Sequence, residues 1–290
     1  MFKKMLLWAI PISILQDSRP TFNFGYGGGA DFRGRNNTYF NIFSSNGVSL
    51  NMKTIDYETL LPRPSLLKSS FFTEAHLSLY TKNTGEKILV SMFSKIKGYS
   101  TIINNVETKR FDVWQDTQKD SVRILSKEFS NLVRANGWEM NITRVPIDYI
   151  VTDKNNEETE WRYNVRISPL TEEKYLKMYG KPNTESVHGL LGHSLDENML
   201  SYHGEKTNYD NVYIDQKEQA YGSIEGDWKD YIMSEPFETK FKFTRYNSIG
   251  KNIKSLEKLN VSTSVLPTGE IPVAFINDDL GKKDYKRKVQ

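Results

Sequence analysis

The sequence of 290 residues contains no cysteine. That absence excludes disulfides, thiolate zinc sites, iron–sulfur clusters and a cysteine nucleophile. Loop-rich secreted proteins of this size commonly carry disulfides. The composition therefore favours folding in a reducing compartment, with a secreted or cell-surface protein as the alternative.

Long apolar runs are also lacking, and the mean hydropathy is −0.58. No stretch reaches the roughly 20 apolar residues that a membrane-spanning helix needs. Residues 5–15 are apolar and follow Lys3 and Lys4, as in a signal peptide, yet no small-x-small cleavage site follows them. Residues 1–23 are therefore interpreted as an N-terminal apolar segment, with a signal sequence and a strand or docking segment as the two alternatives.

An excess of charge of one sign is confined to the C-terminus. The chain has a net charge of +3, and its last ten residues carry five basic side chains against Asp284. The basic side chains are Lys282, Lys283, Lys286, Arg287 and Lys288. Sequence-specific nucleic-acid binding is not expected, because it needs a basic face on a folded domain. The tail is predicted to be a flexible, partner-binding end that contacts an acidic surface or a membrane.

Alternation of apolar and polar residues is the dominant pattern. It runs through Trp161, Tyr163, Val165 and Ile167, as in a strand with one buried face. Alternating segments also flank Asn46-Gly47, and that dipeptide is a strong hairpin signal. A second hairpin is predicted across Asn83-Thr84-Gly85, with Leu77 and Leu79 opposite Ile88 and Val90.

Further strands are predicted at residues 110–114, 140–145, 148–152 and 239–246, and a short helix at 171–179. Residues 122–137 fit either one helix or two strands. Many short strands about ten residues apart predict a mainly β fold. We expect an antiparallel sandwich or a barrel-like fold with one or two short helices.

Motifs for catalysis are scarce. The glycines at 25–29 lack the spacing of a dinucleotide loop or a P-loop, and no nucleophile elbow is present. Neither a catalytic residue nor an organic cofactor is therefore predicted. His188, His193 and His203 lie close together in the sequence, and three imidazoles can hold a catalytic zinc ion. Structural histidines are the favoured interpretation, and a metal-dependent hydrolase is an alternative.

Oxygen ligands for calcium cluster after the histidines, and Asp196 and Asn198 are the candidate pair. Asx-rich turns also form without metal, because their side chains cap their own backbone. Exposed aromatic residues could stack on sugars, and the candidates are Trp161, Trp228, Tyr202 and Tyr209. A calcium- or glycan-binding adhesion module is therefore a second functional hypothesis.

Three segments resemble parts of the von Willebrand factor type D family. Residues 29–42 are similar to the start of the type D domain, and residues 187–198 to its Gly-Leu-Cys-Gly element. Residues 222–232 lie where that family returns to its sheet. The similarity is greatest to cysteine-free relatives in algae, oomycetes and large DNA viruses. Leu191 stands where the family has a cysteine, so disulfide-linked multimers are not implied.

The resemblance implies a β module at residues 24–246, used for assembly or adhesion, with a C-terminal extension at 247–290. Its calcium ligation maps onto Asp196 and Asn198. The leading hypothesis is a non-enzymatic structural or surface-assembly protein that binds itself or other structural proteins. A virion shell of the minor-capsid type, assembled in a reducing compartment, is one setting that the resemblance suggests.

Overall fold

The computed structural model describes residues 21–23, 29–32, 34–60, 66–110, 114–147, 160–196, 225–246 and 274–277. These residues form two antiparallel eight-stranded sheets and one short α-helix, which confirms the predicted mainly β fold. The apolar segment at 5–15, the strand predicted at 148–152 and the basic tail lie outside the described residues. No helix in the described ranges is long and apolar enough to cross a membrane.

The first sheet combines strands from the N-terminal, middle and C-terminal parts of the chain. In spatial order it comprises β2 (Gly29–Asp31), β1 (Thr21–Asn23), β16 (Ala274–Asn277), β13 (Trp161–Pro169), β12 (Trp138–Pro146), β11 (Ser130–Ala135), β10 (Val122–Ser126) and β9 (Asp116–Lys119). Strands β1 and β16 flank the predicted 24–246 module in sequence and belong to the same sheet. Residues from both ends of the chain therefore complete this layer.

The second sheet is built mainly from consecutive hairpins. Its order is β14 (Val187–His188), β3 (Thr38–Ser45), β4 (Val48–Leu60), β5 (Leu66–Tyr80), β6 (Lys87–Phe93), β7 (Tyr99–Ile103) and β8 (Val106–Arg110). A short strand, β15 (Ile232–Met233), pairs with the first half of β3, and β14 pairs with its second half. Both hairpins predicted at Asn46-Gly47 and across residues 83–85 are confirmed.

Residues 122–137 form the hairpin β10–β11, so the strand interpretation is correct and the helix interpretation is wrong. Burial alternates strictly along both strands, and Val122, Ile124 and Val133 face the core. A period of two cannot bury one face of a helix, whose period is 3.6. The helix predicted at 171–179 is confirmed as α1 (Glu173–Tyr179).

The strand predicted at 239–246 is wrong, and the one predicted at 110–114 is described only at its two ends. Arg110 is the last residue of β8, residues 111–113 lie outside the described residues, and Trp114 has a φ of +66°, which lies outside the strand region. The segment 239–246 consists of turns, bends and irregular backbone. Its apolar residues resemble a strand pattern, but they pack against the second sheet without joining its ladder of backbone hydrogen bonds.

The core lies between the two sheets. Trp138 of β12 is fully buried and donates from Nε1 to Ser45 Oγ of β3 at 3.2 Å. The Phe43 ring meets the Trp138 ring edge-on, with 4.9 Å between centroids. Burying an aromatic side chain of this size is worth about 2–3 kcal/mol relative to leaving it exposed. Contacts of this kind hold the layers together.

The hairpin turns gather at the two ends of the sandwich. At one end, which we call the pocket end, the turns at 46–47, 81–86 and 136–137 lie beside the residues that follow α1. The opposite end, which we call the aromatic end, combines the turns at 94–98 and 127–129 with Trp114 and Trp161. An ion pair between Lys97 and Glu128, with 4.0 Å from Nζ to Oε1, links those two turns across the sheets.

Candidate functional site

A tight turn that follows β14 and packs against β3 positions two of the three predicted histidines. The backbone N–H groups of Leu190 and Leu191 donate to the carbonyls of Asn41 and Ile42, each at 3.0 Å. Gly189 has a φ of +110°, and a Cβ there would lie 2.5 Å from the Ile42 carbonyl oxygen. Only glycine fits this close approach.

His188 forms a buried pair with Glu225. The Gly189 N–H donates to His188 Nδ1 at 2.9 Å, so the ring proton is on Nε2, which donates to Glu225 Oε2 at 2.8 Å. Burial lowers the pKa of His188, although Glu225 opposes that effect. The hydrogen bond from His188 lowers the pKa of Glu225. The pair is thus a neutral imidazole donating to a carboxylate.

His193 lies next to this pair, with 6.1 Å between the centroids of the His188 and His193 rings. Its Nδ1 donates to the carbonyl of Gly189 at 3.1 Å. Phe243 stacks on His188, with 4.7 Å between ring centroids. Both nitrogens of His188 are engaged in hydrogen bonds, so this imidazole could bind a metal ion only by giving one of them up.

The structure thus brings together His188 and His193, whereas His203 lies outside the described residues. Among those residues, no group of three or more metal-binding side chains is close enough to hold an ion. Asp196 is buried at the end of the 3₁₀ turn Gly192–Leu195, and its backbone N–H donates to the His193 carbonyl at 3.3 Å. Asn198 and the tail residues 282–288 lie outside the described part of the chain.

The predicted sugar-stacking residues are placed in different surroundings. Trp228 packs on the core beside Phe40, with 6.2 Å between ring centroids. Trp161 lies at the aromatic end, where it stacks on Phe129 at 6.1 Å and carries the Arg144 guanidinium 4.5 Å above its ring. Tyr202 and Tyr209 are not among the described residues.

A second polar cluster, centred on His76, was not predicted from the sequence. Glu74 Oε2 accepts from His76 Nε2 at 2.9 Å and from the Tyr39 hydroxyl at 3.0 Å, while Glu74 Oε1 accepts from Lys53 Nζ at 2.9 Å. Burial alone would raise the pKa of Glu74, but the hydrogen bonds from His76 and Lys53 lower it to about 2. Burial and the Glu74 charge raise the pKa of Tyr39 to about 12.

This cluster joins four strands on the outer face of the second sheet. His76 Nδ1 lies 3.0 Å from Ser91 Oγ, so the Ser91 hydroxyl, the His76 ring and the Glu74 carboxylate form a continuous hydrogen-bonded chain. A histidine that activates a serine uses Nε2 toward the hydroxyl and Nδ1 toward the carboxylate. In this cluster the two ring nitrogens have the opposite partners, because Nδ1 of His76 faces the serine and Nε2 faces the carboxylate. The signal that could have revealed the cluster is the alternation that puts Glu74, His76 and Ser78 on one face of β5.

Residues 225–246, which we call the strap, cover this outer face. Asn51 Nδ2 donates to the carbonyls of Pro236 and Glu238, at 2.9 and 2.7 Å. The Phe237 ring meets His76 edge-on, with 5.4 Å between centroids. The strap is therefore held by side chains of the sheet, as well as by the two residues of β15.

The comparisons with known proteins gave no match to a family model, to a curated protein or to a solved structure. The resemblance to type D domains therefore stays a prediction. The features that bear on function are the two histidine clusters, the strap and the two ends of the sandwich.

Proposed function

We propose that this chain is a non-enzymatic assembly module that associates with a second copy of itself through the aromatic end. The surface comprises Ile96, Trp114, Phe129 and Trp161. The single observation that carries the proposal is the exposure of Trp114, whose side chain is 70% accessible although it is the largest apolar type. Phe129 and Ile96 are 47% and 41% exposed.

Exposed aromatic residues grouped on one surface favour protein binding over chance exposure. Aromatic residues are enriched in interfaces and supply much of the binding energy there. Trp114 also holds a backbone conformation that costs a bulky residue about 1–3 kcal/mol. The Trp114 side chain stays outside the core at that cost, as expected for a residue that binds a partner.

The charges around these side chains favour a second copy as the partner. Lys95 pairs with Glu160, with 2.6 Å from Nζ to Oε1, and Lys97 pairs with Glu128. The rim thus carries lysines and glutamates side by side, and Lys127 adds a third basic side chain in the turn that holds Glu128. A two-fold axis through such a rim can set lysines of one copy against glutamates of the other, since a two-fold interface is self-complementary.

The histidine clusters support a structural rather than a catalytic role. Both ring nitrogens of His188 are engaged, Nε2 with Glu225 of the strap and Nδ1 with the Gly189 N–H. Both nitrogens of His76 are likewise engaged, with Ser91 and Glu74 on the outer face. Assembly in a reducing compartment, with a virion shell as one setting, is the wider form of the proposal and agrees with the absence of cysteine.

Sedimentation velocity over a range of protein concentrations tests the proposal. Trp114→Asn with Phe129→Ser removes the exposed rings, and asparagine tolerates the positive φ at position 114. We expect the wild type to shift toward a dimer as its concentration rises and the double variant to stay monomeric. Met178→Ser is the control, because Met178 is 53% exposed on α1 at the pocket end.

A wild-type chain that is monomeric at every concentration would contradict self-association. Equal loss of the dimer in the double variant and in Met178→Ser would contradict the choice of surface. Thermal unfolding of each variant, compared with that of the wild type, checks whether the substitution has altered the fold.

A further inference from the structure

A cavity of about 410 Å³ opens at the pocket end of the sandwich. Three hairpin turns and the residues that follow α1 line it, so each wall comes from a different part of the chain. Pockets of roughly 300–1,000 Å³ hold small-molecule ligands. The space is therefore large enough for one or two sugar rings.

The walls carry positive charge and amide groups. Lys82 and Lys181 line the cavity together with Asn46, Asn136 and Asn183, and none of the lining residues within the described part of the chain is acidic. Lys82 bends across Gly180, where an added Cβ would lie 3.6 Å from Lys82 Cδ and 4.0 Å from Nζ. Gly180 directly precedes Lys181 in the chain, so the stem of Lys82 packs beside the backbone that carries the second lysine.

Hydrogen bonds fix the shape of the cavity. Asn136 Nδ2 donates to the carbonyls of Gly47 and Tyr80, at 3.1 and 2.9 Å, which joins three turns around the opening. Lys82 N donates to Ser121 Oγ at 2.6 Å, so the backbone that carries this lysine is tied to the first sheet. The lining is therefore positioned before any ligand arrives.

The Asn46 side chain, which belongs to the lining, carries a buried oxygen without a partner. Among the described residues, Asn46 Oδ1 has no hydrogen-bond partner although it is shielded from solvent. A buried acceptor without a partner costs about 1–3 kcal/mol, and a ligand hydroxyl could relieve that cost only if the Asn46 side chain turned toward the cavity. The nearby carboxylate of Asp120 accepts from the Asn83 N–H at 2.8 Å, and it also interacts with the Lys82 charge. Desolvation alone would raise the pKa of Asp120, but these two interactions lower it.

We propose that this cavity binds a sugar that carries a phosphate or sulfate group. Lys82 and Lys181 would contact the anionic group, because an ammonium group makes strong charge-assisted hydrogen bonds with such oxygens. Asn136 already donates both of its amide N–H groups to Gly47 and Tyr80, so the Asn183 amide, which can donate and accept, is the main partner for the sugar hydroxyls. The cavity lies at the opposite end of the sandwich from the proposed assembly surface, so either proposal can fail without the other.

Isothermal titration calorimetry of the full chain tests the site with four ligands: glucose 6-phosphate, glucose 6-sulfate, glucose and inorganic phosphate. We expect saturable binding of the two charged sugars and none of glucose. Inorganic phosphate should bind at least about tenfold more weakly than glucose 6-phosphate, since it leaves the amides unused.

Two sets of variants locate the binding. Lys82→Met with Lys181→Met should weaken glucose 6-phosphate at least about tenfold. Lys97→Met with Lys127→Met removes the same charge at the aromatic end and should leave the affinity unchanged. Asn183→Phe fills the cavity while keeping both lysines, and it should also abolish binding.

Failure of both charged sugars to bind would overturn the proposal. So would equal losses in the two double-lysine variants, which would indicate unspecific attraction to positive charge. Equal affinity for inorganic phosphate and glucose 6-phosphate would overturn the assignment of a sugar.

Discussion

His188 Nε2 donates to Glu225 Oε2 at 2.8 Å and so joins β14 to the strap, across 37 residues of sequence. The imidazole is almost fully buried, and the Glu225 carboxylate is the acceptor for its proton. This pair links the edge of the second sheet to the segment that covers its outer face.

Acid is expected to destabilise the protein through His188. Burial lowers the pKa of His188 in the folded state, so below about pH 6.5 the unfolded chain binds a proton that the folded chain does not. Stability therefore falls with decreasing pH, by at most about 1.4 kcal/mol per pH unit from this group. The lowered pKa of Glu225 adds a further loss below its ordinary value of 4.5.

Urea unfolding at a series of pH values measures this effect. His188→Gln keeps a side-chain N–H for Glu225 and cannot titrate, so its stability should change less than that of the wild type between about pH 7 and pH 5. Identical pH dependence in the two proteins would show that His188 is not held neutral by the fold.

The Glu74 carboxylate is expected to stabilise the outer face at neutral pH. Its pKa is about 2 against an ordinary value of 4.5, so its contribution is complete above pH 4.5 and disappears as the pH falls toward 2. Glu74→Gln should reduce the free energy of unfolding by about 2 kcal/mol at pH 7, after allowance for partial solvent screening.

Glu172→Gln provides the matched control for that change. Glu172 pairs with Lys174, with 2.8 Å from Oε2 to Nζ, but both side chains are mostly exposed. Removing such a surface pair should cost less than about 0.5 kcal/mol. Equal effects of the two substitutions at pH 7 would contradict the role assigned to the His76 cluster.

Much of the strand pattern was predictable because it depends on neighbours in sequence. Asn46-Gly47 specifies its own turn, since Gly47 takes a φ of +69°, and the alternation from Trp161 to Ile167 specifies its own buried face. The strand prediction for residues 239–246 failed because the apolar residues there pack on the sheet without pairing with a strand. An alternating pattern alone does not distinguish a strand paired within a sheet from an apolar segment that packs on its surface.

The sites were less predictable because they depend on pairing between distant segments. The turn at residues 189–192 brings His193 beside His188, and the short sequence separation of the two histidines had already indicated that they lie close together. Glu225 comes from the strap, and no local signal links it to His188. The cavity is likewise lined by turns that the sheet topology brings together.

Gly189→Ala is expected to be among the most damaging single changes in the described chain. The new methyl group would meet the Ile42 carbonyl at 2.5 Å with φ at +110°, so strain and clash together should exceed about 2 kcal/mol. Gly85→Ala is the control: φ is +63° there, but nothing lies within 4 Å of the new Cβ.

Gly85→Ala should lower the free energy of unfolding by only about 1 kcal/mol, because the positive φ alone disfavours alanine there. Thermal unfolding of both variants gives the comparison. A Gly189→Ala protein as stable as Gly85→Ala would show that the turn can move away from β3.

Asn136 is expected to hold three turns together through its side-chain amide. Asn136→Gly keeps the positive φ of +48° accessible and removes both hydrogen bonds, to Gly47 and to Tyr80. We expect a loss of about 1–3 kcal/mol in urea unfolding. Asn105→Gly, at another left-handed turn position with φ of +63°, should change stability by less than about 0.5 kcal/mol. Similar losses at both positions would contradict the linking role of Asn136.

Distances between spin labels in the dimer test the assembly surface most directly. The chain has no cysteine, so Lys127→Cys labels the aromatic end alone and Lys177→Cys labels α1 at the pocket end. Assembly through the aromatic end requires a clearly shorter inter-chain distance for Lys127→Cys than for Lys177→Cys. The reverse order, or no dipolar coupling between chains for either label, would contradict it.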